Sequence, residues 1–323
     1  MRRFVVVALA LLALTACSDD AENSPAEGPA EEGAVRTTTA APVPEARTEV
    51  GAARLGDTLV VLGGFRADGS ATARVDLFDL ESGAWRDGPD LPTPLHHLAA
   101  AAFRGRLYVA GGFTDAGSDS AAVWSLGEGD RSWREEPSLG TARGALGLAA
   151  AGDRLVAFGG TSGGQVLDTA EVLVGDANGW RSAPSMAQPR EHTAAASAGG
   201  RVYAIAGRVG GLESNLVSVE SMDPSAFAPE WRKESDLQFS RGGVAAAAVG
   251  DRVCVAGGEE PGGTIPSVEC LVGGAWRTVA ELAEPRHGLG VVAGDEGDLH
   301  VLAGGPEPGL FVSTAHEVLT FRP

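Results

Sequence analysis

An all-β fold, a closed ring of six four-stranded blades, is predicted by three observations. The first is a short apolar run that ends in two small residues and keeps returning: "DTLVVLGGF" (57–65), "GRLYVAGGF" (105–113), "DRLVAFGGT" (153–161), "GRVYAIAGR" (200–208), "DRVCVAGGE" (251–259) and "GDLHVLAGGP" (297–306). The first small residue of each pair falls at 63, 111, 159, 206, 257 and 304, at intervals of 48, 48, 47, 51 and 47. A fixed period of this size marks a repeated supersecondary unit. The second observation is a set of tryptophans in phase with it: Trp85, Trp133, Trp180, Trp231 and Trp276, at intervals of 48, 47, 51 and 45. The third is that every apolar stretch is of strand length, and none reaches the length of a helix.

The second repeat shows the elements in order. "LAAAAF" (98–103), "RLYVAGG" (106–112), "AAVWSL" (121–126) and "SWREEP" (132–137) are four strands separated by Gly or Asp turns. First strands are rich in alanine (Ala99–Ala102, Ala149–Ala151, Ala194–Ala196, Ala245–Ala248), which suits the crowded axis of a propeller. The tryptophans mark the fourth strands, where large rings fill the wedge that opens between blades. The glycine pairs end the second strands; glycine removes a Cβ where blades crowd and allows positive φ at the turn. No Lys-Ser/Thr or following helix accompanies them, so they do not read as a phosphate cradle.

Six small-residue pairs stand against five phased tryptophans, and the last repeat supplies only one strand, "STAHEVLTF" (313–321), after its pair. The missing outer strand is expected at 34–39. "GAVRT" (33–37) matches "GAWRT" (274–278), and Val35 precedes Gly63 by 28 residues, as Trp276 precedes Gly304. The N-terminal strand would then close the ring and remove two sheet edges.

The stretch "VDLFDLESGAWRDGPDLPTPLHHLAAAAFRGRLYVAGG" (75–112) resembles the kelch repeat, and the resemblance extends over six repeats across 33–323. It implies a six-bladed kelch-type β-propeller whose loop face is a common surface for binding partners.

The chain opens "MRRFVVVALALLALTACSDD", with Arg2 and Arg3 before an apolar stretch too short to span a bilayer. Leu14-Thr15-Ala16-Cys17 resembles a bacterial lipobox. The expected organisation is a signal peptide at 1–16, lipidation at Cys17, an acidic tether through 32, disordered by its Ala-, Pro- and Glu-rich composition, and a propeller at 33–323. This places the protein in the cell envelope, lipid-anchored on the outer side of the cytoplasmic membrane. Net charge is −18, or −20 once the two arginines of 1–16 are removed. That disfavours nucleic acid and any membrane contact beyond the lipid. Oligomeric state is left open.

The loops from each fourth strand to the next first strand share one face. In them arginine recurs sixteen residues before the small pair, at Arg47, Arg143, Arg190 and Arg241, with Arg286 equivalent after a two-residue insertion. The second repeat has Leu95 there, followed by His96 and His97; His192 and His287 follow their arginines closely. Five arginines are expected around one mouth of the central channel, where planar guanidinium forks suit carboxylate or phosphate groups. Competing with this, the arginines brace loops by bonding carbonyls or an acid such as Glu191 or Glu284. Metal binding would need three or four convergent ligands. The histidine spacing follows the repeat and allows convergence on the axis, but these read as loop histidines, and no metal and no cofactor are expected.

The functional expectation is a binding scaffold for a protein or acidic ligand at this mouth (Arg47, His96, His97, Arg143, Arg190, His192, Arg241, Arg286, His287). The alternative is a carbohydrate-active enzyme of the sialic-acid-epimerase-like kelch type working through Arg190, Glu191 and His192. A galactose-oxidase-like copper site finds no match, because Tyr108 and Tyr203 sit in second strands where packing explains them. Cys254 and Cys270 fall opposite each other if their hairpin centres near Gly262, and a disulfide is expected in an oxidising compartment.

Overall fold

The computed structural model describes residues 35–321, apart from 176 and 296. The proposed signal peptide, Cys17 and the acidic tether lie outside the described residues. Among the described residues, six antiparallel four-stranded sheets are arranged as propeller blades in one compact unit.

Blade three shows the plan. Gly147–Ala151 runs nearest the axis, followed outward by Arg154–Phe158, Ala170–Val174 and Arg181–Ala183. Alternation of side chains sends Leu155 and Ala157 to one neighbouring blade and Val156 and Phe158 to the other. Every blade therefore contributes to two hydrophobic cores, and six such cores lie in the six seams. The tryptophans pack at the outer ends of five seams. Trp133, Trp180 and Trp231 also donate Nε1–H to the carbonyls of Pro89, Pro137 and Pro184 in the preceding blade, at 2.8, 2.9 and 2.9 Å.

Val35–Thr39 pairs with His316–Phe321 and supplies the outer strand of the sixth blade, as the sequence implies. In the seam between blades five and six, where the other seams carry a tryptophan, Val35 packs beside the disulfide-bonded Cys254 and Cys270. The two cysteines are direct cross-strand partners with Cα atoms 4.0 Å apart.

The last small-residue pair is shifted by one from its expected place. It is Ala303–Gly304, with φ of 55° and 100°, matching Ala206–Gly207 at 54° and 91°. The extra residue sits in a longer hairpin between Gly290–Ala293 and Asp298–Leu302, so Arg286 precedes its pair by seventeen residues. The period slips because a surface turn tolerates insertion.

At the pairs, backbone meets backbone. A Cβ on Gly111 (φ 67°) would lie 2.4 Å from the Arg143 carbonyl oxygen, closer than any real contact. The amide of the second small residue donates to the residue at the arginine position of the following blade. The series is Gly64 to Leu95, Gly112 to Arg143, Gly160 to Arg190, Gly207 to Arg241, Gly258 to Arg286 and Gly304 to Arg47, at 2.8–2.9 Å.

Ring closure also holds two buried histidines. His316 donates Nδ1–H to the Ala41 carbonyl at 3.0 Å, which fixes its Nε2 as the acceptor for His300 Nδ1–H at 2.8 Å. Burial pulls the His316 pKa down to about 4, with nearby His300 and Arg286 adding to the effect against the bond to Ala41. A histidine at its ordinary value near 6.5 in the unfolded chain takes up a proton that the folded state refuses. The associated stability is therefore complete above pH 6.5 and is lost as pH falls towards about 4, by about 3 kcal/mol in all. In urea titrations at stepped pH, His316→Gln is expected to flatten this slope relative to the parent; an identical slope would refute the assignment.

Candidate functional site

The mouth is built from the loops that carry the arginines, and their guanidinium groups do not line it. Arg47, Arg143, Arg190, Arg241 and Arg286 are completely buried and point back into their own blades. Arg143 shows the arrangement. Its Nη1 donates to the carbonyls of Gly159 and Thr169, each at 3.0 Å, and its Nη2 to Glu171 Oε1 at 2.9 Å. The amides of Gly140 and Thr141 in the same loop also donate to Glu171, so both of its oxygens are bonded. The same third-strand position supplies Asp76 to Arg47, Glu220 to Arg190, Glu269 to Arg241 and Glu317 to Arg286. The acids suggested by the sequence, Glu191 and Glu284, are not the carboxylate partners. Burial lowers the pKa of Arg47 to about 10 and lowers those of Arg143, Arg190 and Arg241, all of which stay charged at neutral pH. The arginine-lined mouth is thus corrected to a set of internal braces.

Blade two carries no such pair. Leu95 stands at the arginine position, and Trp124, cross-strand from Val109, stands at the acid position held by Glu171 in blade three. An apolar pair replaces an ionic one, and both members are buried.

What faces the axis is the residue two beyond each arginine position: Glu49, His97, Ala145, His192, Gly243 and Gly288. All six have φ between 49° and 66°, the left-handed region that glycine adopts freely and other residues at a cost of about 1 kcal/mol or more. Their backbones join around the ring. The amides of His97, Ala145, His192, Gly243 and Gly288 each donate to the carbonyl of the preceding member, at 2.8–3.0 Å; at the closing seam Val50 donates to Gly288 instead. A cavity of about 70 Å³ lies on the axis, lined by these six and by Val50, Leu98, Leu146, Thr193, Val244 and Leu289.

A polar circuit runs through this ring. His97 Nε2 lies 2.9 Å from His192 Nε2 and 3.2 Å from Glu49 Oε2. His192 Nδ1 bonds Glu191, which accepts from Arg208 Nε at 2.8 Å, while Arg208 Nη1 donates to Glu259 at 2.8 Å. His287 Nδ1 closes the circuit, 3.2 Å from Glu49 Oε1 and 3.6 Å from Glu259 Oε2, though aligned for a hydrogen bond with neither. His96 sits behind His97, stacked on Phe65. Burial pulls His97 down to about 3 and His96 to about 4, so both are neutral imidazoles at pH 7. Burial alone would raise Glu49, but His287, whose own pKa rises beside it, outweighs burial and holds the Glu49 pKa well below the usual range. Burial also opposes the charging of His287, yet Glu49 and then Glu259 raise its pKa.

Of the residues singled out from sequence, His96, His97, His192 and His287 come together, and the five arginines do not join them. Glu49, Arg208 and Glu259 were missed. Glu49 was accessible, because it follows Arg47 by the same two residues that separate His192 from Arg190. Arg208 and Glu259 each follow a small pair directly and meet Glu191 and Gly242 through isolated backbone bridges, a contact with no mark in the sequence.

These features define a six-bladed propeller with internally braced loops and a polar ring on its axis. The chain belongs to the kelch-repeat family: residues 31–207 match the KLHDC2/KLHL20/DRC7 Kelch-repeats domain. It is similar to the solved structure of YjhT, with a TM-score of 0.76 and 14% sequence identity over 88% of this chain and 100% of that one. Likeness at that identity is a likeness of fold. No curated protein matches the sequence.

Removing one member of a buried ion pair strands the other. Arg143→Ala is expected to cost about 3–5 kcal/mol in denaturant unfolding. Arg143→Leu combined with Glu171→Trp copies blade two and should recover much of that loss. A double variant as unstable as the sum of its single substitutions would show that the apolar pair is no substitute.

Proposed function

We propose that this protein is an extracytoplasmic binding platform, lipid-anchored through Cys17 on the outer side of the cytoplasmic membrane, that takes a protein partner across the mouth face of its propeller. The observation that carries this reading is the combination, on one braced face, of a net-negative polar ring with large exposed apolar side chains. Leu310 and Phe311, in the loop joining the second and third strands of blade six, are 55% and 49% exposed; Phe239, in the loop entering blade five, is 50% exposed. Strand alternation puts both loops on the mouth face. Exposed apolar anchors around a polar centre are the composition of a recognition surface.

The charge of the ring favours a partner that presents basic or histidine side chains between its apolar contacts. An acidic ligand loses its support, because the arginines that would have held it are committed inside the blades. The carbohydrate-active alternative loses Arg190 in the same way.

Two measurements test the reading. Cys17→Ala should move the protein from the membrane fraction to the soluble extracytoplasmic fraction, and retention in the membrane would refute the lipid anchor. Leu310→Asp with Phe311→Asp should abolish cross-linking to an envelope partner that the parent captures, with no change in melting temperature. Capture that survives this pair of changes would move the interface off the mouth face.

A further inference from the structure

We propose that Glu49, His97 and His192 form a binding site for one divalent transition-metal ion of the zinc type, on the axis of the propeller mouth. One ligand atom from each residue lies within 4.8 Å of the others. The two closest separations, 2.9 and 3.2 Å, are slightly under the roughly 3.3 Å between neighbouring ligands of a tetrahedral ion with bonds of 2.0–2.1 Å. Small side-chain rotations would open the set to that spacing. Two imidazoles and a carboxylate are three ligands, which leaves the fourth position of a tetrahedral ion open.

The surrounding groups orient these atoms as ligands. Glu191 takes the Nδ1 proton of His192, which leaves the Nε2 lone pair facing the axis, and Arg208 holds Glu191 in place. His96 Nδ1 meets Nδ1 of His97, and with the His97 proton held in that contact its Nε2 is free to act as a ligand. Carboxylate-backed imidazole is the usual outer shell of a metal-bound histidine. Two imidazole nitrogens and a carboxylate oxygen thus converge, and without a cation or a proton between them they repel. His287, almost wholly buried and with its Nδ1 unpartnered, lies against the other oxygen of Glu49. Ala145, Gly243 and Gly288 complete the ring with small residues and leave room at the centre. Glu49, His97 and His192 also keep side chains at positive φ, where Gly243 and Gly288 show the unstrained choice. This reverses the expectation of no metal, which considered the histidines without Glu49.

The inference rests on the mouth being the functional face, but its readout is separate. Chelator-stripped full-length protein titrated with Co²⁺ is expected to develop the visible absorption of a low-coordinate ion at one equivalent, and one equivalent of Zn²⁺ should bleach it. His97→Gly and His192→Gly, both suited to their backbone conformation, should each weaken binding by more than the roughly 100-fold upper range of an outer-shell loss; Glu191→Gln should weaken it about 10–100-fold. Ala145→Gly, at a non-ligand position of the same ring, should leave it unchanged. No binding by the parent, equal binding by both histidine variants, or displacement of Co²⁺ by equimolar Mg²⁺ would overturn the site. Partner capture without metal binding would remove the metal site alone; metal binding without capture would remove the platform reading alone.

Discussion

Six blades converge on one axis, and the space there admits little more than backbone. Each blade meets the next through a peptide amide: the second residue of the small pair donates to a carbonyl of the following blade, and Gly304 returns the series to Arg47. A buried amide must find such an acceptor, so the approach is obligatory rather than incidental. It demands positive φ and no bulky side chain at the pair. It also demands that the accepting loop be held still, and the arginine does this. Its carbonyl is bonded by the preceding blade, while its guanidinium reaches the third strand of its own. Arg47, for example, accepts from Gly304 and donates to the carbonyls of Gly63 and Arg74. One residue therefore ties two blades.

Charge is a costly way to hold a buried loop, since desolvating a guanidinium and a carboxylate offsets much of their attraction. Blade two shows that the frame accepts another solution, with Leu95 and Trp124 filling the space and no ions present. The loop backbone keeps its path: Gly64 still donates to Leu95, and His97 still donates to Glu49. The bracing is a local choice in each blade, whereas the backbone rings are common to all six. Chemistry at the mouth can vary for that reason without altering the propeller. The inner ring uses the freedom, with three polar side chains, one methyl and two glycines at six equivalent positions.

The fold was legible because its constraints recur. Gly111, Trp133 and Ala99–Ala102 each answer to a place in the blade, and six repetitions separate signal from accident. Ring closure could be read because Val35, in a segment matching 274–278, stands where a phased tryptophan was missing. The one-residue error at Gly304 arose where a surface hairpin lengthened and the period no longer reported depth. The site was less legible. Arginine at a fixed loop position has two physical readings, facing the channel or facing the blade, and the distinction lies in a carboxylate some thirty residues on. Glu171 and Glu220 sit in third strands at constant register opposite the second strand, so the pairing was present as a spacing between residue types. The circuit through Arg208 and Glu259 was not, because it joins loops of different blades whose approach depends on the assembled ring.

The inner ring explains why polar chemistry gathers at this point of the fold. Elsewhere a loop side chain pays conformational entropy to adopt one orientation when it binds. Here the orientation is imposed beforehand by backbone that cannot relax without breaking a hydrogen bond to its neighbour. Glycine would adopt the same φ freely, as Gly243 and Gly288 do, so Glu49, His97 and His192 sit where a side chain makes folding harder. The left-handed backbone and the six-fold geometry direct their Cβ atoms to a common centre. A group bound there would meet polar side chains already in position, and the strain is shared by the whole ring through its backbone hydrogen bonds. The same rigidity limits the site to something small or to the tip of something larger, because the cavity that the ring lines measures only about 70 Å³.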